Sequence, residues 1–153
     1  MRKPYFKAQA GAPQPLRCTV DRLVRFEEVD ALGIVWHGRY PSYFEDGRVL
    51  LGKQHGLSYM DFFHQEIIAP IKQMHVDYQS PLRFGEPFTI EAILHWSDAV
   101  RLNHEFILRN AAGDITTTGY TVQLLTDKEE NVLMVAPPFY EEFRQRWQTE
   151  GSL

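Results

Sequence analysis

Two neighbouring runs in this chain alternate apolar and polar side chains with a period of two. Over residues 88–96, Phe88, Ile90, Ala92, Leu94 and Trp96 alternate with mostly polar neighbours; over 100–108, Val100, Leu102, His104, Phe106 and Leu108 do the same. Successive side chains of a strand point to opposite faces, so each run reads as a strand with one buried face. Ser97-Asp98-Ala99 leaves room only for a short connection, which predicts an antiparallel hairpin. Asn110 to Asp114 (NAAGD) is a second turn signal and leads into a Thr-rich strand over 115–126, with Tyr120, Val122 and Leu124 as its expected core residues. Upstream, Met74, Val76 and Tyr78 mark another strand that stops near Pro81. Residues 19–27 predict a first strand, with Val24 and Phe26 on one face.

Between the first strand and the others lies one strong helical stripe: Tyr40, Tyr43, Phe44, Gly47, Leu50 and Leu51. Pro41 suits its first turn, where a missing N–H costs nothing, and Gly56 is a natural stop. Pro137-Pro138 followed by Phe139, Phe143 and Trp147 at four-residue steps predicts a terminal helix. The order is strand, long helix, four strands, helix. A helix apolar along one stripe must bury it, and the obvious partner is the single antiparallel sheet. An open sheet of about five strands has an edge to cover or pair, which favours a homodimer or homotetramer over a monomer.

The chain has 153 residues, enough for one domain with a real core. We divide it into a flexible tail over residues 1–18, a main domain over 19–136 and a C-terminal helix over 137–153. A net charge of −4 with both signs interspersed gives no support to a nucleic-acid or membrane-surface role. No apolar run has the length of a signal peptide core or a membrane span. Cys18 is the only cysteine, which fits a reducing compartment, so a cytoplasmic protein is expected.

Several reaction classes lack their motifs: there is no Gly-x-Ser-x-Gly elbow, no phosphate-binding loop and no Gly-x-Gly-x-x-Gly. The histidines at 37, 55, 64, 75, 95 and 104 show no metal-ligand spacing, and no cofactor is implied. The chemistry-bearing stretch is Asp30 to Tyr40 (DALGIVWHGRY), which joins the first strand to the long helix. A loop leading into a helix offers unpaired backbone N–H groups, and these favour developing negative charge. Gly33 and Gly38 permit close backbone approach. Asp30 has the chemistry of a general base or nucleophile, and His37 that of a group that orients or shares a proton. The plainer alternative is structural: Asp30 as a turn cap, His37 as a capping donor, and Ile34, Val35 and Trp36 as packing.

Val24 to Tyr40 (VRFEEVDALGIVWHGRY) resembles the signature of the 4-hydroxybenzoyl-CoA thioesterase-like hot-dog family, and most of all its Tol-Pal-cluster acyl-CoA thioesterase branch. The resemblance continues through Tyr43 to Arg48 (YFEDGR) and returns in Met74 to Glu86 (MHVDYQSPLRFGE), so that it covers roughly residues 19 to 126. It implies an α+β hot-dog fold, a five-stranded antiparallel sheet wrapped around a long central helix, with protomers paired to extend the sheet and active sites at the interface. It implies hydrolysis of an acyl-CoA or acyl-carrier-protein thioester. Asp30 matches the catalytic carboxylate, and His37 matches the residue whose backbone N–H polarises the carbonyl and whose ring takes part in the closest branch. Phe26, Gly33, Val35, Trp36, Gly38, Tyr40 and Phe44 are the implied substrate-binding positions, with packing the favoured role for most of the aromatic residues on the helix. Phe26 and Trp36 stand where tyrosines are usual, and Asp46-Gly47-Arg48 departs from the usual Ala-Arg, so the acyl group stays open. Arg39, Lys72 and Arg83 are candidates for the CoA phosphates by charge alone. An enoyl-thioester hydratase and a non-catalytic acyl-thioester-binding protein are the competing readings.

Overall fold

The computed structural model describes residues 2–150. Along the chain run β1 (Leu16–Leu23), α1 (Tyr40–His55), α2 (Tyr59–His64), β2 (Ile71–Tyr78), β3 (Pro87–His95), β4 (Arg101–Asn110), β5 (Ile115–Leu124) and α3 (Pro138–Glu150). Single 3-10 turns occupy Phe26–Glu28 and His37–Arg39. The strands form one antiparallel sheet in the order β1-β3-β4-β5-β2, and α1 lies across one face of it. This is the α+β arrangement of sheet and central helix that the resemblance implied.

The register explains how closely helix and sheet meet. Ala92 pairs with Phe106, and Phe106 pairs with Gly119, so these three share the inner face. Phe44 of α1 stacks on Phe106 at 4.5 Å between ring centroids and 5° between planes. A Cβ on Gly119 would stand 2.6 Å from the Phe44 ring, and one on Gly47 would stand 2.9 Å from the Ala92 methyl. Both glycines are therefore contact points where a side chain would hold the layers apart. Burying Phe44 contributes roughly 1.5–3 kcal/mol. Pro41 occupies the first turn of α1, and Gly56 ends the helix in the left-handed region at φ 74°.

Two sequence expectations differ from the structure, and one element was not expected. The first strand runs from Leu16 to Leu23 rather than over 19–27, and Phe26 belongs to the 3-10 turn. Glu28 is the cause: it accepts the Arg25 N–H at 2.8 Å and an Arg22 Nη at 2.9 Å, which coils the chain back on itself. On β5 the residues facing α1 are Thr117, Gly119, Thr121 and Gln123, so Tyr120 and Val122 lie on the opposite face. That outer face is roofed by the N-terminal segment. Tyr5 and Phe6 pack on Tyr120 at 5.0 and 5.4 Å, Tyr5 Oη bonds Asp77 and Thr118, and Arg2 pairs with Glu105 at 2.6 Å. The element not expected is α2. Its start is fixed by Ser58 and Asp61, which cap each other's backbone N–H groups.

The terminal helix forms as expected over its described part, Pro138–Glu150, while residues 151–153 lie outside the described residues. Tyr140, Phe143 and Trp147 are its buried side chains; Trp147 meets Trp96 edge-on at 5.1 Å and donates Nε1–H to the Gln14 carbonyl at 2.9 Å.

Candidate active site and a second cavity

The stretch from Val29 to Tyr40 is held from two sides. Val29 bridges Val35, Asp30 N–H bonds the Ile34 carbonyl at 2.9 Å, and Gly33 closes the turn at φ 76°. On the other side the segment after β2 clamps it: Ile34 bridges Arg83, Val35 N–H bonds the Leu82 carbonyl at 2.8 Å, and Phe84 N–H bonds the Gly33 carbonyl at 3.2 Å. Leu82 is fully buried. The two sequence blocks that carried the resemblance, Val24 to Tyr40 and Met74 to Glu86, are thus one structural unit.

Asp30 is half-buried at the tip of this unit. Its Oδ1 accepts the Leu32 N–H at 2.9 Å, which fixes the carboxylate; among the described residues Oδ2 has no partner. Asp30 lines a shallow cleft of about 360 Å³ together with Glu27, Val29, Trp36, Gly38, Arg39 and Ser42. Neither the His37 nor the Gly38 backbone N–H finds an acceptor among the described residues. These are the donors that precede α1, where the helix dipole adds positive potential. The Trp36 ring lies over Gly38, where a Cβ would come within 2.4 Å of it, so position 38 accepts only glycine while Trp36 stays. Arg39 donates to the Glu27 carbonyl at 2.8 Å and forms part of the cleft wall.

The other predicted positions separate into two groups. His37 is exposed, its ring 5.2 Å from that of Trp36 and outside the cleft lining. Phe26 is 77% exposed and meets Phe84 edge-on at 5.9 Å, also outside the lining. Val35, Tyr40 and Phe44 are buried in the core. A residue that sequence reasoning read only as a strand marker belongs here too: Tyr78 of β2 donates its hydroxyl to the His37 carbonyl at 2.8 Å and sits edge-on to Tyr40 at 5.2 Å. Arg22, which the sequence did not single out, grips both Glu28 and Asp46 and so ties the 3-10 turn to α1.

A larger cavity of about 550 Å³ opens at the opposite end of α1, beneath α2. Leu51, Leu57, Phe62, Ile67, Leu94 and Leu102 are among its apolar walls, and Arg48, His55, His104 and Gln123 are among its polar ones. Arg48 is buried, pairs with Glu45 and donates to Thr121 Oγ1 at 3.0 Å. Burial, with the Arg48 and His95 charges adding to it, holds His104 well below the ordinary histidine range, so its ring is neutral. Among the described residues no group of three or more His, Cys, Asp or Glu is placed to hold a metal, and no helix is long and apolar enough to cross a membrane.

The sequence profile of the thioesterase-like superfamily matches residues 24–147, so the chain belongs to that superfamily. Fold and family together define a hot-dog thioesterase. Among curated relatives, a putative acyl-CoA thioesterase of Bacillus subtilis, YneP, is 27% identical over 106 residues, 69% of this chain and 77% of the relative. The acyl-CoA thioester hydrolase YbgC of Escherichia coli O157:H7 is 26% identical over 68 residues, 44% of this chain and 51% of the relative. Among solved structures, the DHNA-CoA thioesterase of Staphylococcus aureus superposes with a TM-score of 0.77 at 23% identity, over 90% of this chain and 97% of that one.

Proposed function

We propose that this protein hydrolyses acyl-CoA or acyl-carrier-protein thioesters in the cytoplasm, without a cofactor. The observation that carries the reading is the shared cleft: Asp30, with one carboxylate oxygen free, and Gly38, with its backbone N–H unpaired, line one opening ahead of α1. The backbone donors bind the thioester carbonyl oxygen and stabilise the charge that develops on it. Asp30 Oδ2 either takes a proton from the attacking water and passes it to the departing thiolate, or attacks the carbonyl carbon itself and expels the thiolate, forming a mixed anhydride that water then cleaves to regenerate Asp30 and to supply the thiolate's proton; both routes end in free acid and thiol. His37 orients the water or shares the proton, while Tyr78 holds the His37 carbonyl and so the backbone that carries the donors. The acyl-CoA thioesterase names of YneP and YbgC support the same substrate class.

The functional unit in this reading is a homodimer, alone or within a homotetramer. β2 is an outer strand with Ile71, Met74 and Tyr78 exposed at 39, 41 and 54%. Pairing β2 with its copy in antiparallel fashion covers that edge. It also sets the Tyr78 end of one protomer, beside His37, against the Ile71 end of the other. Pro70, Ala69 and Ile68, which precede Ile71, line the larger cavity. The cavity of one protomer then faces the Asp30 cleft of its partner.

The test is release of free thiol from a panel of acyl-CoA and carrier-protein thioesters, run beside Asp30→Asn. Turnover that falls by orders of magnitude in the variant supports the reading. A wild-type protein inert on every thioester of the panel sinks it.

A further inference from the structure

Residues 2–15 form no strand or helix, yet this N-terminal segment is tied to the outer face of the sheet at several points. Arg2 pairs with Glu105 of β4 at 2.6 Å. Phe6 packs against His95 of β3 at 5.3 Å and against Tyr120 of β5 at 5.4 Å, and Tyr5 packs on Tyr120 at 5.0 Å and on His75 of β2 at 5.7 Å. The segment straps four of the five strands. Two of its polar partners, Glu105 and Thr118, are only 5 and 1% exposed, so those bonds are shielded from water.

The Tyr5 hydroxyl has the most specific place. It donates to Asp77 Oδ2 at 2.5 Å and, with its one hydrogen given there, accepts from Thr118 Oγ1 at 2.6 Å. Asp77 and Thr118 are a cross-strand pair of β2 and β5, so the hydroxyl staples the two strands together. Burial, and after it Asp77, push the Tyr5 hydroxyl up to about 12, so it stays a donor throughout the neutral range. The next residue along β2 is Tyr78, and successive strand residues face opposite ways. On the inner face Tyr78 stands edge-on to Tyr40 of α1 and donates to the His37 carbonyl. Tyr78 and Thr117 are the last pair of this ladder; beyond them the Gln79 and Ser80 N–H groups share the Thr116 carbonyl and the chain leaves the sheet. The ends of elements are where hydrogen-bond ladders open first.

We propose that Tyr5 is a positioning residue for the candidate active site: it pins the end of β2 from the outer face, so that Tyr78 can hold from the inner face the backbone that carries the oxyanion donors. The inference rests on the hydrolase reading for its link to turnover. It adds to that reading a segment that lies ahead of the residues matched by the superfamily profile, which begin at 24. If Tyr5 were only a cover for Tyr120, Tyr5→Phe would be silent on the far side of β2, because phenylalanine keeps the ring.

Two measurements on the full chain test this: amide exchange by NMR, and steady-state hydrolysis of the thioester of the panel that the wild type cleaves fastest. In Tyr5→Phe the amides of Gln79, Ser80 and Arg39 should exchange about fivefold faster, the loss of one net hydrogen bond, while those of the β3–β4 hairpin stay unchanged. The Arg39 amide reports on the donor loop because it closes the turn at the Trp36 carbonyl. kcat should fall about two- to threefold with KM little changed, and the same substitution made in Tyr78→Phe should lower kcat no further. Unchanged exchange at Gln79 and Ser80 overturns the proposal, and so does a faster exchange that stops there and does not reach Arg39. An active protein whose kcat ignores Tyr5→Phe, or loses as much in the Tyr78→Phe background, overturns it and leaves the hydrolase standing. A protein inert on every thioester, whose Arg39 amide still responds to Tyr5→Phe, removes the hydrolase and keeps the link from strap to donor loop.

Discussion

The two ends of α1 are built on opposite principles. At its N-terminal end Asp30 and Gly38 line a shallow opening: Asp30 is half-buried, Gly38 offers a backbone N–H, and His37 stands exposed outside the lining. At its C-terminal end a deeper cavity is walled by core residues and holds a fully enclosed neutral imidazole. A helix of 16 residues spans about 24 Å, and Tyr43, Phe44, Gly47 and Leu51 are packed against the sheet between the two ends, so no channel joins them inside one protomer. The difference shows why the proposed function calls on a second copy paired through β2: the groups proposed to react lie at one end of α1, and the apolar enclosure lies at the other.

The largest effect that tests this division is at the reacting end. Asp30→Asn keeps an acceptor for the Leu32 N–H and so keeps the turn, but it removes the basic oxygen. kcat/KM for thioester hydrolysis should fall by about 10²–10⁴, with the melting temperature unchanged. Undiminished turnover would remove Asp30 from the chemistry and leave it the turn cap that the sequence also allowed.

Co-expression of two inactive variants tests whether the ends cooperate across protomers. Val49, half-buried at the cavity wall, becomes Trp in one chain to block the cavity; Asp30 becomes Asn in the other. If cavity and cleft act across the dimer, each mixed dimer has one intact site and one doubly damaged site. Random pairing should then restore about a quarter of wild-type activity on octanoyl-CoA. If they act within a protomer, no site is intact and activity stays at the level of the separate variants.

A smaller effect is expected at Tyr78. Tyr78→Phe removes the hydroxyl that holds the His37 carbonyl and leaves the ring against Tyr40. Loss of one hydrogen bond to a backbone that carries the oxyanion donors should lower kcat about three- to tenfold with KM little changed. A change confined to KM would instead place Tyr78 in substrate binding.

How much of this was legible in the sequence follows the same division. The reacting end was readable because its parts are contiguous: Asp30, Gly33, His37 and Gly38 lie within nine residues, and their spacing carries the resemblance. The hairpin of β3 and β4 was readable because its inner face is apolar apart from His104, while its outer face is polar apart from Ile93 and Ile107. β5 was misread for a physical reason. Its inner face is Thr117, Gly119, Thr121 and Gln123, small or polar because Phe44 needs the space at Gly119 and Arg48 needs the Thr121 hydroxyl. Its more apolar alternation marks the face covered by Tyr5 and Phe6, more than a hundred residues away in the chain. The cavity was illegible for a related reason. Arg48, His104 and Gln123 come from three separate elements; Arg48 and His104 each read alone as a polar residue on a mostly apolar face, and Gln123 as one more polar residue of a Thr-rich strand.

The smallest expected effect distinguishes the two ends by pH. Burial lowers His104 strongly, with Arg48 on α1 and His95 on β3 adding repulsion, and burial also lowers His55. A histidine whose folded pKa lies below its unfolded value contributes stability that is present above the unfolded value, near pH 6.5, and is lost as pH falls. Each pH unit below that point costs about 1.4 kcal/mol for a ring that stays neutral, or roughly 2–4 °C per kcal/mol in a domain of this size. Glu105, held low by His95 and Arg2 against its burial, begins to lose its own contribution only nearer the ordinary carboxylate range. Between pH 7 and 5.5 the slope therefore belongs to the enclosed histidines. His104→Phe should flatten the fall in melting temperature across that window, while Asp30→Asn, at the open end, should leave it as in the wild type. A slope that persists in His104→Phe and vanishes in Asp30→Asn would reverse the assignment of open and enclosed ends.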